Sequence, residues 1–222
     1  MLDRFRAFWT RVFTPVVDLL LRWGVSPDAV TVVGTLGVVA GAVVFFPQGE
    51  LLVGVLVIAV FVFSDLVDGA MARKSGRSSD FGAFLDSTLD RVGDAAIFGG
   101  LAMYYVGPGD NDWLAALCIY CLTMGSVTSY ARARAESLGM QAKVGIAERS
   151  DRLVSILVMT GLADMLRLLG LGDWPMLLIP ITLSALAIAS TITVLQRILV
   201  VRRQAHDAAS RASVDPGNAT QA

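Results

Sequence analysis

Six apolar stretches, each close to the roughly 20 residues a helix needs to cross a bilayer, leave this chain few ways to fold. They lie at about 30–47, 51–72, 83–106, 112–133, 152–170 and 175–200. Turn chemistry separates them: Pro47-Gln48-Gly49, then Val106-Gly107-Pro108-Gly109-Asp110, then Gly170-Leu171-Gly172-Asp173-Trp174-Pro175, where Trp174 suits a membrane interface. The expected fold is all-α, a polytopic membrane protein with six transmembrane helices in one bundle. Composition agrees. The 222 residues are 55% hydrophobic and 17% charged, against about 25% charged in a soluble domain, and the mean hydropathy is +0.65. A net charge of -1 gives no strong pull on nucleic acid, and none is expected as a partner.

Basic residues orient the bundle. Arg4, Arg6, Arg11 and Arg22 precede the first span; Arg73, Lys74 and Arg77 lie between the second and third. Arg132, Arg134, Lys143, Arg149 and Arg152 lie between the fourth and fifth, and Arg197, Arg202, Arg203 and Arg211 lie at or after the end of the sixth. The opposite turns hold only Arg167, at a span end. The positive-inside rule then puts both termini in the cytoplasm, as an even number of spans requires. This implies a multi-pass protein of the plasma membrane with its charged face toward the cytoplasm. Residues 1–28 form a juxtamembrane segment. Within it, residues 2–23 mix Phe5, Trp9, Phe13 and Leu20 with arginines, the pattern of an interfacial amphipathic helix, bent or restarted near Pro15. It has no clean apolar core followed by a small-residue cleavage site, so it does not read as a signal peptide. Residues 29–203 form the six-helix domain. Residues 204–222, polar and rich in Ala, Ser and Asp, are expected to be a disordered tail.

Three features have plain structural readings. Cys118 and Cys121 fall inside the fourth span, where buried packing thiols are the expectation. His206, the single histidine, sits in the tail, which disfavours a histidine-based site. Gly37 and Gly41 make a small-residue face for close helix packing.

The stretch Asp65 to Asp94, DLVDGAMARKSGRSSDFGAFLDSTLDRVGD, carries the chemistry. Asp65, Asp68, Asp86, Asp90 and Asp94 stand at apolar or membrane-proximal positions. Four or five such carboxylates at mid-membrane would cost about 10–17 kcal/mol, as much as a typical domain's whole stability. They therefore need a compensating cation. Asp65 and Asp68 are three apart, and Asp86 and Asp90 four apart, so each pair shares a helix face. A short connection between the two helices lets all four meet at the cytoplasmic end. Hard oxygen donors without histidine or cysteine favour Mg²⁺ or Mn²⁺ over zinc. Four carboxylates suffice for two ions, an arrangement suited to in-line phosphoryl displacement. Gly69, Ala70, Ala72, Gly82 and Ala83 leave room for a phosphate to reach the backbone, and Arg73 is placed to meet it. Spacing alone leaves catalysis, a cation-coupled transport path and a structural network of acids all open.

The pattern Asp65-x-x-Asp68-Gly69-x-x-Ala72-Arg73, eight residues, Gly82-x-x-x-Asp86-x-x-x-Asp90 resembles the full signature of the CDP-alcohol phosphotransferase family, with every fixed position and gap matching. The resemblance implies transfer of a phosphoalcohol from a CDP-alcohol to a second alcohol, with two metal ions. By position, Asp65, Asp68 and Asp86 bind one ion, Asp65, Asp86 and Asp90 the other, and Asp90 is the general base. Gly69 and Arg73 match residues that hold the CDP moiety, and Ser79 a further nucleotide or phosphate contact. Ser26-Pro27-Asp28-Ala29-Val30-Thr31 is similar to the family's segment that covers the nucleotide, although many members have Asn where Asp28 stands. Pro27-Asp28 is equally an ordinary helix start. The family also implies a homodimer.

The acceptor alcohol is expected to carry a phosphate. Ser129-Tyr130-Ala131-Arg132-Ala133-Arg134-Ala135-Glu136, Glu148-Arg149-Ser150-Asp151-Arg152 and Gln196-Arg197 close the cytoplasmic ends of the last three spans. Positive-inside anchoring accounts for basic residues there without a ligand. Guanidinium groups converging on a cleft imply a doubly charged phosphate. These runs resemble a bacterial subgroup of the family that joins CDP-diacylglycerol to inositol 1-phosphate. By position, the inositol-phosphate pocket uses Ser129, Arg132, Arg134, Arg149, Arg152 and Arg197. The nearest rival subgroup takes glycerol 3-phosphate.

Overall fold

The computed structural model describes residues 14–62, 67, 69–71, 74 and 79–214. Every regular element among them is helical. Residues 14–22 form α1, which belongs to the amphipathic segment expected over 2–23; the earlier part of that segment lies outside the described residues. Val17 is buried against Val67 and Met71, with Leu20, Leu21 and Val30 packed around them, and Asp18 pairs with Lys74. The apolar stripe of α1 therefore grips the segment carrying the first half of the aspartate signature.

Six long helices make up the bundle among the described residues: α2 (Pro27–Ala40), α3 (Leu51–Val62), α4 (Asp80–Val106), α5 (Asp112–Ser137), α6 (Arg149–Leu166) and α7 (Leu178–Val214). Their starts follow from capping. The Ser26 hydroxyl accepts from the Ala29 amide ahead of Pro27 at the first helical position. Ser79 accepts from the Gly82 amide at 3.0 Å, and Asn111 from the Leu114 amide at 3.0 Å. At α6, Glu148 and Asp151 form a reciprocal capping box. These caps start α2, α4 and α6 three residues before the apolar runs expected at 30, 83 and 152. The cap residues are polar and so fall outside a hydropathy reading.

Neighbouring pairs close the helices into a ring: α2 beside α4, then α5, α7, α6, α3 and back to α2. Its centre is filled by Phe46, Ile58, Ile97, Leu101, Cys118, Cys121, Ile156 and Leu183, with Cys118 and Cys121 as free, buried thiols. Gly37 and Gly41 bring α2 against α3 as the sequence implied; a Cβ at Gly37 would overlap the Phe61 ring, and one at Gly41 would lie 2.9 Å from the Ile58 side chain. After Ala40 the helix loosens into a π turn over Gly41–Phe45 and a 3₁₀ turn over Phe46–Gln48. Pro47 lacks an amide to continue the ladder, and Gly49 ends it at φ 82°.

Among the described residues, four helical stretches are long and apolar enough to span a bilayer: Pro27–Gln48, Asp112–Ser137, Arg149–Leu171 and Trp174–Ala208. The described part of α3 is apolar but shorter. In α4 the charges of Asp80, Asp86, Asp90, Arg91 and Asp94 crowd the first half and leave 95–106 free of charge. The outer surface is studded with exposed Val33, Leu36, Val60, Leu169, Ile181 and Ile188. An apolar exterior of this extent suits lipid rather than water, and the protein is a membrane protein.

The expected disordered tail over 204–222 is corrected for its first part, because α7 continues to Val214. Ala205, Ala208, Ala209 and Ala212 favour helix. Gln204 also clasps the backbone of Gln141, accepting from its amide at 2.9 Å and donating to its carbonyl at 2.6 Å.

At the opposite end of the bundle, Asp164 of α6 is 2% exposed. It accepts the Leu52 amide at 2.8 Å, so it caps α3 from another helix, and pairs with Arg167 at 2.6 Å. Replacing Asp164 by Ala should lower stability by about 1–3 kcal/mol, the worth of a buried cap and charged hydrogen bond. The readout is thermal unfolding in detergent; an unchanged midpoint would show that α3 does not depend on this cap.

Candidate active site

The charged end of the ring assembles the second half of the aspartate signature with the arginine-bearing helix ends. Asp86 and Asp90 stand one turn apart on α4, Asp86 exposed and Asp90 half-buried. Asp28 lies beside the start of the same helix: a Cβ at Gly82 would sit 3.5 Å from its Oδ1 and 3.3 Å from the Ser79 hydroxyl. The glycine thus keeps open the corner between the helix start of α2 and that of α4. Ala29 is exposed there. Val30 packs into the α1 cluster, and Thr31 is buried, donating to the Pro27 carbonyl at 3.1 Å. Gly69 is helical and Ser79 caps α4. Asp65, Asp68 and Arg73 lie outside the described residues.

Among the described residues no three acidic, histidine or cysteine side chains gather as a metal set. What they do supply fits a hard divalent ion: two carboxylates on one helix face, reached by no histidine or thiol.

Behind Asp90 lies a four-residue charge network. Arg149 of α6 pairs with Asp90 Oδ1 at 2.8 Å and, through Nε, with Asp94 Oδ1 at 3.0 Å. Arg91 pairs with Asp94 Oδ2 at 3.1 Å and donates to the Ser129 hydroxyl on α5 at 2.8 Å. Asp94 is 4% exposed, so its charge is held almost out of water by two guanidinium groups. Removing either partner of such a pair is far more costly than the pair is worth in net terms.

Next to this network opens a cavity of ≈ 450 Å³, lined by Ser129, Arg132, Glu136, Glu148, Arg149, Arg152 and Arg197 among others. Five of the six residues expected to hold the acceptor phosphate therefore share one wall. The sixth, Arg134, is not on it: it is exposed and donates to the Ser137 hydroxyl at 3.3 Å. Arg152, 2% exposed, donates to the carbonyls of Ala147 and Gly125, each at 3.4 Å. A Cβ at Gly125 would stand 3.2 Å from the Arg152 guanidinium, a tight approach that would make that group shift by a few tenths of an ångström. Arg197, 5% exposed, donates to Val144 O at 2.9 Å and Thr128 O at 2.5 Å. The same loop is pinned a turn earlier on α7, where Thr193 Oγ1 accepts the amides of Ile146 and Ala147 at 3.2 and 3.3 Å.

Sequence reasoning did not place Arg91, Glu136 and Glu148 in the site, and left Asp94 open between a supporting partner of the signature acids and a helix–helix hydrogen bond. Arg91 and Asp94 are three apart on one helix, a legible pairing signal. That both serve α5 and α6 is tertiary information.

A ring of six helices with an acidic helix face beside a cationic cavity suits a membrane enzyme acting on phosphate esters. The CDP-alcohol phosphatidyltransferase model matches residues 24–195. The chain belongs to this family, and it is a transferase. It is 52% identical to a phosphatidylinositol phosphate synthase of Streptomyces avermitilis over 223 aligned residues, covering 100% of this chain and 90% of the relative. It is also similar to crystal structures of the phosphatidylinositol phosphate synthase of Mycobacterium tuberculosis. The one with CDP-DAG bound has a TM-score of 0.80 at 40% identity, covering 86% of this chain and 94% of that one. The complex with manganese and citrate has a TM-score of 0.77 at 40% identity, covering 85% and 88%.

Proposed function

We propose that this enzyme transfers the phosphatidyl group of CDP-diacylglycerol to inositol 1-phosphate, giving phosphatidylinositol phosphate and CMP. The observation that carries the reading is the cavity walled by Arg132, Arg149, Arg152 and Arg197, one ion pair away from Asp90. Four guanidinium groups on one cavity suit a phosphorylated acceptor, not a neutral alcohol. The relatives and their CDP-DAG-bound structure support the donor and the product.

In this reading Asp65, Asp68, Asp86 and Asp90 hold two divalent ions, Mg²⁺ or Mn²⁺, which lower the pKa of the acceptor hydroxyl and offset charge on the diphosphate. The arginine wall seats the acceptor's phosphate and so presents one of its free hydroxyls to the acidic face of α4. Asp90 takes the hydroxyl proton. The oxygen attacks the phosphorus that bears diacylglycerol, and its bond to the CMP oxygen breaks. Asp28, Ala29, Val30, Thr31, Gly69, Arg73 and Ser79 frame the nucleotide at the corner kept open by Gly82. Geometry of this kind lowers the barrier chiefly by positioning.

The bundle then sits in the plasma membrane with six spans. In this reading the uncharged half of α4 completes its own crossing. The site and both termini face the cytoplasm, as the basic residues require, and a homodimer fits the family.

The test is CMP release by purified protein with CDP-diacylglycerol, Mg²⁺ and a panel of acceptors. Inositol 1-phosphate should support turnover, free inositol and serine should not, and a chelator should stop the reaction until metal is restored. Turnover with glycerol 3-phosphate alone would keep the chemistry and overturn the acceptor.

A further inference from the structure

Asp94 lies outside the aspartate signature, one turn beyond its last member. Yet it is the most buried carboxylate at the charged end among the described residues, 4% exposed. Its two oxygens are divided between two helices' business. Oδ1 accepts from Arg149 Nε at 3.0 Å, and Arg149 in turn reaches Asp90 Oδ1 at 2.8 Å and the Asp90 carbonyl at 3.4 Å. Oδ2 pairs with Arg91 Nη1 at 3.1 Å, and the same nitrogen donates to the Ser129 hydroxyl at 2.8 Å. Both outer groups, Arg149 and Ser129, line the cationic cavity. Arg149 also lines a second, small cavity of ≈ 40 Å³ that touches Asp90, Thr35 and Gly93. It is therefore the side chain shared by the acidic face and the arginine wall.

A guanidinium is planar, with donors in a rigid fork. When Nε is fixed by one carboxylate and an Nη by another, the plane of the fork has no freedom left, and the remaining donors keep one bearing. Without Asp94, Nε is released and Arg149 keeps only the Asp90 carboxylate at 2.8 Å and a long bond to the Asp90 carbonyl at 3.4 Å, which hold the fork less firmly. Placement of a phosphate against a fork is sensitive to such freedom, because the bidentate arrangement is lost with the plane.

We infer that Asp94 is a positioning residue for the acceptor: it locks Arg149 and, through Arg91, Ser129, and so sets the distance between the acceptor phosphate and the base Asp90. This rests on the reading of the cavity as the acceptor site. Asp94 touches neither substrate nor metal in this role; it acts through the two arginines.

The experiment is steady-state CMP release by full-length Asp94→Asn and Asp94→Glu enzymes in detergent, with each substrate varied in turn. Asn keeps the size but removes the charge and one of the two acceptor oxygens, so that only one of the two arginines still finds an acceptor. It should raise the KM for inositol 1-phosphate on the order of tenfold, the effect of one charge-assisted hydrogen bond. The KM for CDP-diacylglycerol should stay within about twofold. Glu should recover part of the loss. A merely structural role would lower the amount of active enzyme and leave both KM values alone, and that outcome would overturn the inference. So would equal increases in both. Should Asn fail to fold, Arg91→Met provides the same readout: it removes the single nitrogen that joins Asp94 to Ser129 while Arg149 still pairs with Asp94, and a selective rise in acceptor KM is again expected. If wild-type enzyme prefers another phosphorylated acceptor, the series is run on that acceptor. The substrate reading then fails while the role of Asp94 is judged on the same selectivity.

Discussion

Asp90→Asn should reduce CMP release on the order of 10³-fold while leaving the protein folded. The asparagine keeps the shape of the side chain and an oxygen that can accept from Arg149, now 2.8 Å from the carboxylate. What it loses is the negative charge and with it the ability to take a proton. General-base catalysis is worth about 10²–10⁴-fold, and the same residue is an expected ligand of one ion, so the loss falls inside or above that range. The neighbouring Asp94 still neutralises Arg149 and Arg91, which is why unfolding should not follow. The decisive pair of measurements is CMP release and the thermal midpoint on one preparation. Activity within about tenfold of wild type, with the midpoint unchanged, would remove Asp90 from the chemistry. Asp90→Glu is a useful companion, since it keeps the charge but moves it by a methylene; activity should remain far below wild type, because near-attack geometry tolerates little displacement.

The sequence made much of this molecule readable, for physical reasons. Apolar length revealed α2, α5, α6 and α7 directly. In α4 it was the breach of the apolar run by carboxylates that carried the information, since acids in such surroundings demand a function. The spacing of Asp86 and Asp90 translated into a shared face because helix geometry is local. Helix starts at Pro27, Asp80 and Arg149 were displaced by three residues from the apolar edges, because Ser26, Ser79 and Glu148 cap with polar atoms that hydropathy ignores. The helical part of the tail was missed because alanine-rich polar sequence also occurs in disordered chains, and the Gln204–Gln141 clasp spans 63 positions. The arginines were readable as a group, since basic residues gather at one membrane face. Which of them turn toward the cavity was not: Arg132 and Arg134 are neighbours on α5, yet only Arg132 lines it. Residues two apart on a helix point about 200° around its axis, so the structure, not the run of basic letters, separates them.

Arg197→Ala should lower kcat/KM for inositol 1-phosphate on the order of 10²–10³-fold. Arg197 is 5% exposed and lies on the cavity wall. It spends Nε on Val144 O and Nη1 on Thr128 O, at 2.9 and 2.5 Å. Those two bonds fix the fork, leaving Nη2 for the acceptor phosphate. Charged hydrogen bonds contribute about 1.5–3 kcal/mol each, and truncation removes the charge and leaves two carbonyls short of a donor. The loop should nonetheless stay in place, because Thr193 independently accepts the Ile146 and Ala147 amides and Arg152 still donates to Ala147 O. The effect should therefore appear in acceptor kinetics more than in the thermal midpoint. Arg197→Lys separates charge from geometry: an ammonium keeps the positive potential but cannot span two carbonyls and a phosphate in one plane. It should recover only part of the loss, through KM. Full recovery with Lys would mean that the cavity needs potential alone. A kcat/KM within about threefold of wild type in Arg197→Ala would place the acceptor phosphate elsewhere, since no buried guanidinium that contacts a dianion can be removed at so small an effect.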